Sequence, residues 1–394
     1  MRALLAGARN KEAELIELTR RLVLVESPSD VKAAVDACMD LAVEQAKELG
    51  GRVKRHRQKA WGDVLELRFG PRRKTLAERV LVLGHLDTVW PLGTLKTMPW
   101  RIADDTAGKS RIWGPGTLDM KAGVAMAFTA VEMLLEASLL EREVVLLLNS
   151  EEEVGSPVSR AVTEALAVEC GAVYVLEPAQ GLAYKTSRKG TGNWKLTVEG
   201  VAAHSGVDFT RGRSAVLELG RLIEKVSGWT DSAALKRDFA KAVTVNVGVI
   251  SGGTKSNVVP AEAWAEVDVR VAKKSDGPRI EKRFAGLKAS AGSGCTLRME
   301  GGINRPPMER TRGTVALFHR AQGLAGQLDW ELNEAATGGA SDGNFTSALG
   351  VATLDGMGAV GEGAHAVHES VLVEHIAPRT ALLAGMLATS GTRD

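Results

Sequence analysis

The chain has 394 residues, 44% of them hydrophobic and 25% charged, with a formal net charge of +2. That length allows two domains, because single cores stop growing beyond about 250–300 residues, and the charge is too small to argue for nucleic acid or an anionic membrane as partner. Three widely spaced cysteines, Cys38, Cys170 and Cys295, fit reduced thiols in a cytoplasmic protein better than a disulfide framework or a thiolate metal site; the N-terminal apolar run is too short for a signal peptide, and no stretch approaches the ~20 apolar residues of a membrane helix.

Apolar residues at helical spacing (Leu15, Leu18, Leu22) predict a helix over 11–25, stopped by Ser27-Pro28. Asp30 reads as the N-cap of a second helix through Val35, Cys38 and Leu41, closed by Gly50-Gly51. Strands are expected at 52–58, 64–69 and 80–83, the basic run at 52–59 being the solvated face of an edge strand. A loop with Trp and Pro then leads to Gly116, and Asp119 opens a long helical run. Strand 144–148 precedes Glu151, Glu152 and Glu153; Ser156-Pro157 reads as N-cap and first residue of a helix ending at Gly171; strand 172–176 delivers Glu177-Pro178. Short apolar strands alternating with helices predict an α/β domain, a mostly parallel sheet with helices on both faces.

The pattern changes at Arg188. Strand 194–198, helix 214–226, strands 243–250 and 264–271, helix 279–290 and strand 296–299 follow one another. This β-α-β-β-α-β order predicts an inserted ferredoxin-like α+β domain at 188–304, with the first domain formed by 1–187 and 305–394. A helix at 315–324, a strand near 351–354 and a closing helix from about 376 to 387 complete that first domain.

The chemistry is concentrated at strand ends. The run V-L-V-L-G-H-L-D-T-V-W-P at 80–91 ends an apolar strand in His85 and Asp87. Residues two apart in extended backbone share a face, so both would point to one site while Leu86 returns to the core. A metal-binding imidazole commonly gives its second N–H to a carboxylate, and His-x-Asp supplies both. Asp119, the Glu triplet and Glu177 stand at further strand ends, and His365 follows the Gly-rich loop G-E-G-A-H. Loops at the carboxyl ends of parallel strands converge on one crevice. His85, Asp119, Glu153, Glu177 and His365, N and O donors without thiolate, suit one or two zinc-like ions, and their number suffices for two with a shared carboxylate. Glu152 and Glu153 would point oppositely in extended backbone, leaving one as a general base. Each residue also has a plain structural reading: the Glu triplet as helix-dipole complement, Asp119 as an N-cap, Glu177 as a strand end. Gly356 to Gly361 spells G-x-G-x-x-G, but the helix, second strand and acidic residue of a dinucleotide fold do not follow.

Taken together, G-H-L-D-T-V, G-P-G-T-L-D-M-K-A-G, N-S-E-E-E-V-G-S, L-E-P, V-A-A-H-S-G and G-A-H-A-V-H-E strongly resemble, in order and over most of the chain, the zinc aminoacylase/carboxypeptidase family. That family includes glutamate carboxypeptidase, acetylornithine deacetylase, succinyl-diaminopimelate desuccinylase and aminoacylase. The resemblance implies two zinc ions, with cobalt or manganese as substitutes. His85 and Glu177 would hold one, Glu153 and His365 the other, and Asp119 would bridge them beside a cis peptide to Met120. Asp87 would orient His85, and Glu152 would be the general acid/base. His365 is preferred to His368, which is expected at the surface. The inserted domain would be a lid and the homodimer interface, its His204 reaching toward the partner subunit's site. Asn257 and Arg270, with Arg305 as a looser match, would hold the substrate carboxylate. The implied reaction is hydrolysis of an amide next to a free carboxylate in a short peptide or N-acyl amino acid, in the manner of glutamate carboxypeptidase. An N-acyl amino acid deacylase and a non-catalytic ligand-binding member are the alternatives; neither nucleic acid nor membrane is expected as a partner.

Overall fold

The computed structural model describes residues 1–388. It divides into two compact units, one of Met1–Ser187, Arg310–Ala336 and Ser341–Asp394, the other of Arg188–Glu309 and Thr337–Ala340.

In the first unit the described residues form a six-stranded sheet, ordered Arg52–His56, Val64–Phe69, Glu143–Asn149, Arg79–His85, Ala172–Val175, Thr353–Leu354. The last four run parallel, and the first two are antiparallel additions at one edge. Alternation along the strand Arg79–His85 shows why its stretch 80–83 is continuously apolar. Val80 and Val82 join a core with Leu15, Leu22, Val35, Met39 and Phe128, whereas Leu81 and Leu83 join a second core with Leu166 and Cys170. Helices Glu12–Leu24, Lys32–Glu48, Ala122–Glu136 and Ile376–Ala388 supply residues to the first of these cores, and Ser159–Ala167 to the second. The sheet is covered on both faces, and each fully buried Val or Leu contributes roughly 1.5–3 kcal/mol.

Several element starts differ from the sequence expectation. A helix Arg2–Asn10 precedes the first expected one. Asp30 is not the cap of the second helix, which starts at Lys32 after Val31 with no side-chain cap bond. Asp119 does not open a regular helix. Residues Thr117–Lys121 form a wide turn in which Asp119 (φ −116°) and Met120 (φ −133°) leave helical geometry across a cis peptide, and the helix is regular only from Ala122. The helix expected at Ser156 begins at Ser159, because Ser156 takes a left-handed φ of 58° and the first N–H groups are capped by Glu151 instead. A four-stranded sheet was not foreseen: Gly361–Glu362, Ser370–Leu372, Ser110–Trp113 and Arg101–Asp104 pair antiparallel in that order.

The second unit has a sheet ordered Thr244–Gly252, Glu262–Val271, Gly190–Glu199, Thr296–Arg305, antiparallel throughout. With helices Ala215–Ser227 and Asp276–Ala285, this is the ferredoxin-like arrangement. Burial along Glu262–Val271 alternates as the sequence does, and the inward residues pack with Leu219, Leu222, Ile280 and Phe284. Trp194 stacks on Phe284 at 4.1 Å. Ser214 caps its helix by accepting from Leu217 N–H at 3.2 Å.

Candidate metal centre

His85 closes its parallel strand, Glu152 and Glu153 follow the strand ending at Asn149, and Glu177 follows the strand ending at Val175. The sheet itself therefore brings these loops to one end. Asp119 comes from the wide turn before helix Ala122–Glu136, and His365 from the loop between Gly361–Glu362 and Ser370–Leu372, with φ 63°.

Asp119 stands at the middle. Its Oδ1 lies 3.2 Å from His85 Nε2 and its Oδ2 3.4 Å from His365 Nε2. His85 Nε2 is also 3.7 Å from Glu177 Oε1, and His365 Nε2 is 3.1 Å from Glu153 Oε2. Ligand atoms of His85, Asp119 and Glu153 all fall within 4.8 Å of one another, as do those of His85, Glu152 and Glu177. The five residues expected as ligands converge, and Glu152 converges with them.

The reason given for separating Glu152 from Glu153 does not hold. Glu152–Val154 is a 3₁₀ turn rather than extended backbone, so alternation cannot sort the two carboxylates. The plain reading of the triplet is correct for Glu151 alone: its Oε1 accepts from Val158 and Ser159 N–H and its Oε2 from Ser150 Oγ.

Asp87 is fully buried and does two things. His85 Nδ1 lies 3.0 Å from its backbone oxygen and 3.4 Å from Oδ1, which fixes the ring with Nε2 toward Asp119. Its carboxylate also accepts from Glu152 N–H and Glu153 N–H at 3.1 Å each and from Ser29 Oγ at 2.6 Å. Sequence reasoning missed three supports. Ser29 carried no signal at all. Asp342, which accepts from Asn149 Nδ2 and Ser156 Oγ, steadies both ends of the glutamate turn. Glu369 accepts four N–H groups, and its only sequence signal was its place four residues after His365. The glycine run at 356–361 also has a structural task. Gly358 N–H donates to Glu177 O at 3.0 Å, and a Cβ there would meet Leu176 O at 2.0 Å. His368 is exposed.

Electrostatics show what this donor set asks for. Burial opposes protonation of His85, but its hydrogen bonds to Asp119 and Asp87, which accept from the ring, outweigh it and hold its pKa well above the ordinary value. His365 is pushed up to about 10 by Asp119 and Glu153. Burial raises the Asp119 carboxyl, yet His365 and His85 together pull it far below the usual range. Burial, with the charge of Asp119, raises Glu153. Clustered carboxylates thus draw positive charge onto both imidazoles. Imidazole and carboxylate donors without thiolate suit divalent ions of the zinc type, so these residues fit a metal centre.

In the second unit, His204 is exposed on the short strand Ala203–His204, which pairs with Val258–Val259. Ser205 N–H donates to Asn257 O at 3.0 Å, so His204 and Asn257 are neighbours. Arg270 and Arg305 flank Thr191 in one sheet row. The Arg270 guanidinium is held by both oxygens of Asp268 at 2.9 Å.

Residues 81–389 match the profile of peptidase family M20/M25/M40. The chain belongs to this family. Among its relatives, carboxypeptidase G2 of Pseudomonas sp. (strain RS-16) is 25% identical over 98% of this chain and 91% of its own length. Succinyl-diaminopimelate desuccinylase of Dechloromonas aromatica is 26% identical over 93% and 96%. The aminopeptidase PepT of Bacillus cereus superposes with a TM-score of 0.78 at 19% identity, covering 96% of this chain and 98% of that one. A Bacillus subtilis protein described as a dinuclear metal binding peptidase of the M20 family superposes with a TM-score of 0.69 at 13% identity, covering 96% and 98%. The M20 chain is accordingly a hydrolytic metallopeptidase, and no helix among its described residues is long and apolar enough to cross a membrane.

Proposed function

We propose that this M20 hydrolase uses two zinc ions to cleave the amide next to a free carboxylate in short peptides or N-acyl amino acids. In this reading His85 and Glu177 hold one ion, Glu153 and His365 the other, and Asp119 both; cobalt or manganese would substitute. The observation that carries it is the division of Asp119, one oxygen toward each imidazole at 3.2 and 3.4 Å. Bound ions would supply Lewis acidity, lowering the pKa of water from about 15.7 to about 7. Glu152 takes the proton of the attacking water and passes it to the departing amine, a role worth on the order of 10²–10⁴-fold. Asp87 fixes the His85 tautomer and tethers the Glu152 turn through its N–H bonds.

The same proposal gives the region 188–304 the part of lid and homodimer interface, with 1–187 and 305–394 as the catalytic part, in a cytoplasmic enzyme. His204 would polarise the scissile carbonyl in the partner subunit's site. Asn257, Arg270 and Arg305 would receive the substrate carboxylate, and for Arg270 this means sharing or exchanging its bonds to Asp268. A carboxypeptidase reading is supported by the carboxypeptidase G2 relative, which spans nearly the whole chain. A deacylase reading is supported by the desuccinylase relative, which is as similar over 93% of it.

The deciding experiment loads the protein with zinc or cobalt, measures metal content, and assays a panel of C-terminally free dipeptides and N-acyl amino acids. Release of the C-terminal amino acid from dipeptides supports the first reading. Cleavage confined to acyl groups supports the second. Two bound metals with no turnover on the whole panel would mean a ligand-binding member instead.

A further inference from the structure

We propose that Glu369 is a positioning residue that holds the loops of His85, Asp119 and His365 in one register, so that the metal centre assembles as a unit. The proposal rests on the dinuclear reading above and concerns a residue outside the ligand set.

Glu369 is 1% exposed. Its Oε1 accepts from Leu118 N–H at 2.8 Å and Asp119 N–H at 3.1 Å; its Oε2 accepts from Gly116 N–H at 2.9 Å and Trp90 Nε1–H at 2.8 Å. These donors come from two places far apart in sequence, each tied to a ligand. Trp90 lies five residues beyond His85, and Leu118 and Asp119 belong to the turn that presents the shared carboxylate. Glu369 itself is fixed to the third ligand. Ala366 N–H donates to Gly363 O and Glu369 N–H to Ala366 O, at 2.8 and 2.9 Å, so consecutive turns set its distance from His365.

The chemistry suits a register pin rather than filler. A buried carboxylate is costly unless its lone pairs are taken up, and a residue needed only for packing would be apolar. The wide turn at 117–121 leaves N–H groups of 116, 118 and 119 outside regular helix bonding, and these converge as a cradle for an anion. Gly116 lets this turn pack on the segment that follows His85: its φ is 69°, and a Cβ there would meet Thr88 Cγ2 at 2.5 Å.

Glu369→Gln tests this, because an amide turns an NH₂ group toward one of the two donor pairs. Parent and variant are stripped, titrated with Co²⁺, and followed by calorimetry, by the cobalt d–d absorption spectrum, and by kcat and KM after loading. The expected result is two Co²⁺ per chain in both, with affinity in the variant weakened about 10–100-fold, an altered spectrum, and a fall in kcat rather than a rise in KM. A lower melting temperature with unchanged cobalt affinity and spectrum would reduce Glu369 to structural support and overturn the proposal. Should Glu369→Gln fail to fold, Trp90→Phe, which deletes one of the four bonds at a half-buried position, decides in its place. A several-fold weaker Co²⁺ affinity with a shifted spectrum upholds the role, and parent-like values overturn it. A parent that takes up no cobalt overturns both this inference and the dinuclear reading; a normal parent with an indistinguishable variant overturns this inference alone.

Discussion

Glu152 and Glu153 are adjacent, and both carboxylates approach His85, while Glu153 Oε2 stands 3.1 Å from His365 Nε2. If Glu152 moves protons and Glu153 binds metal, Glu152→Gln should retain two metals per chain and lose on the order of 10²–10⁴-fold in kcat; parent-like turnover would remove it from the mechanism. The imidazoles give a second expectation. His365 in the metal-free protein has a pKa raised to about 10, so it is protonated at neutral pH and must release that proton to bind an ion. Metal affinity should therefore rise with pH, about tenfold per pH unit for each proton displaced, and level off above about 10. In the metal-free state the sign for stability is opposite: the gain from charged His365 is complete below its ordinary pKa and is lost as pH rises through about 10. Calorimetry in buffers of different ionisation enthalpy measures the proton release, and a pH-independent affinity would contradict it. The residues that converge on Asp119 were legible because imidazoles and carboxylates in successive loops of one sheet end form an improbable set. Ser29, Asp342 and Glu369 were not, since each bonds partners tens to hundreds of residues away, and serine, aspartate and glutamate in loops carry no sign of such reach.

At the scale of elements, strands were read more reliably than helix starts. The interiors of buried parallel strands are bound to be apolar, as 80–83 and 144–148 are, so composition alone exposes them. Helix starts were misplaced wherever tertiary contacts overrode local caps. Ser156 gives its hydroxyl to Asp342 instead of capping, and Glu151 caps across eight residues. The sheet that carries Ser370–Leu372 joins strands about 260 residues apart, and its strands are too short to show a period. The glycine run near 358 looked like a nucleotide motif because local spacing is all a motif holds; its reason is the Leu176 carbonyl against which it packs. Gly358→Ala should accordingly displace the Glu177 segment, costing about 1–3 kcal/mol and weakening metal uptake. Urea unfolding together with metal content measures both, and a variant equal to the parent in each would show that the segment shifts freely.

For the molecule as a whole, the cysteines report on folding. Cys38 and Cys170 are buried, and burial pushes the Cys170 thiol up to about 12, whereas Cys295 is half-buried. Native protein should react with a thiol reagent at one site per chain and denatured protein at three; rapid native labelling of Cys170 would reveal opening of the core beneath Leu166. The division of the chain also bears on how the protein can be cut. Arg188 and Met308 exchange two backbone bonds of 3.0 Å where the chain enters and leaves the second unit, which invites excision of 188–309 as a separate gene segment. But Lys189 N–H donates to Thr337 O, and the Arg188 guanidinium to the carbonyls of Gly339 and Ala340. A fragment expressed from 188–309 would lack those acceptors, so the unit is continuous in space while its coding sequence is not. Recombination between relatives that exchanged only the contiguous segment would leave the stretch Thr337–Ala340 as a foreign piece to meet the new unit.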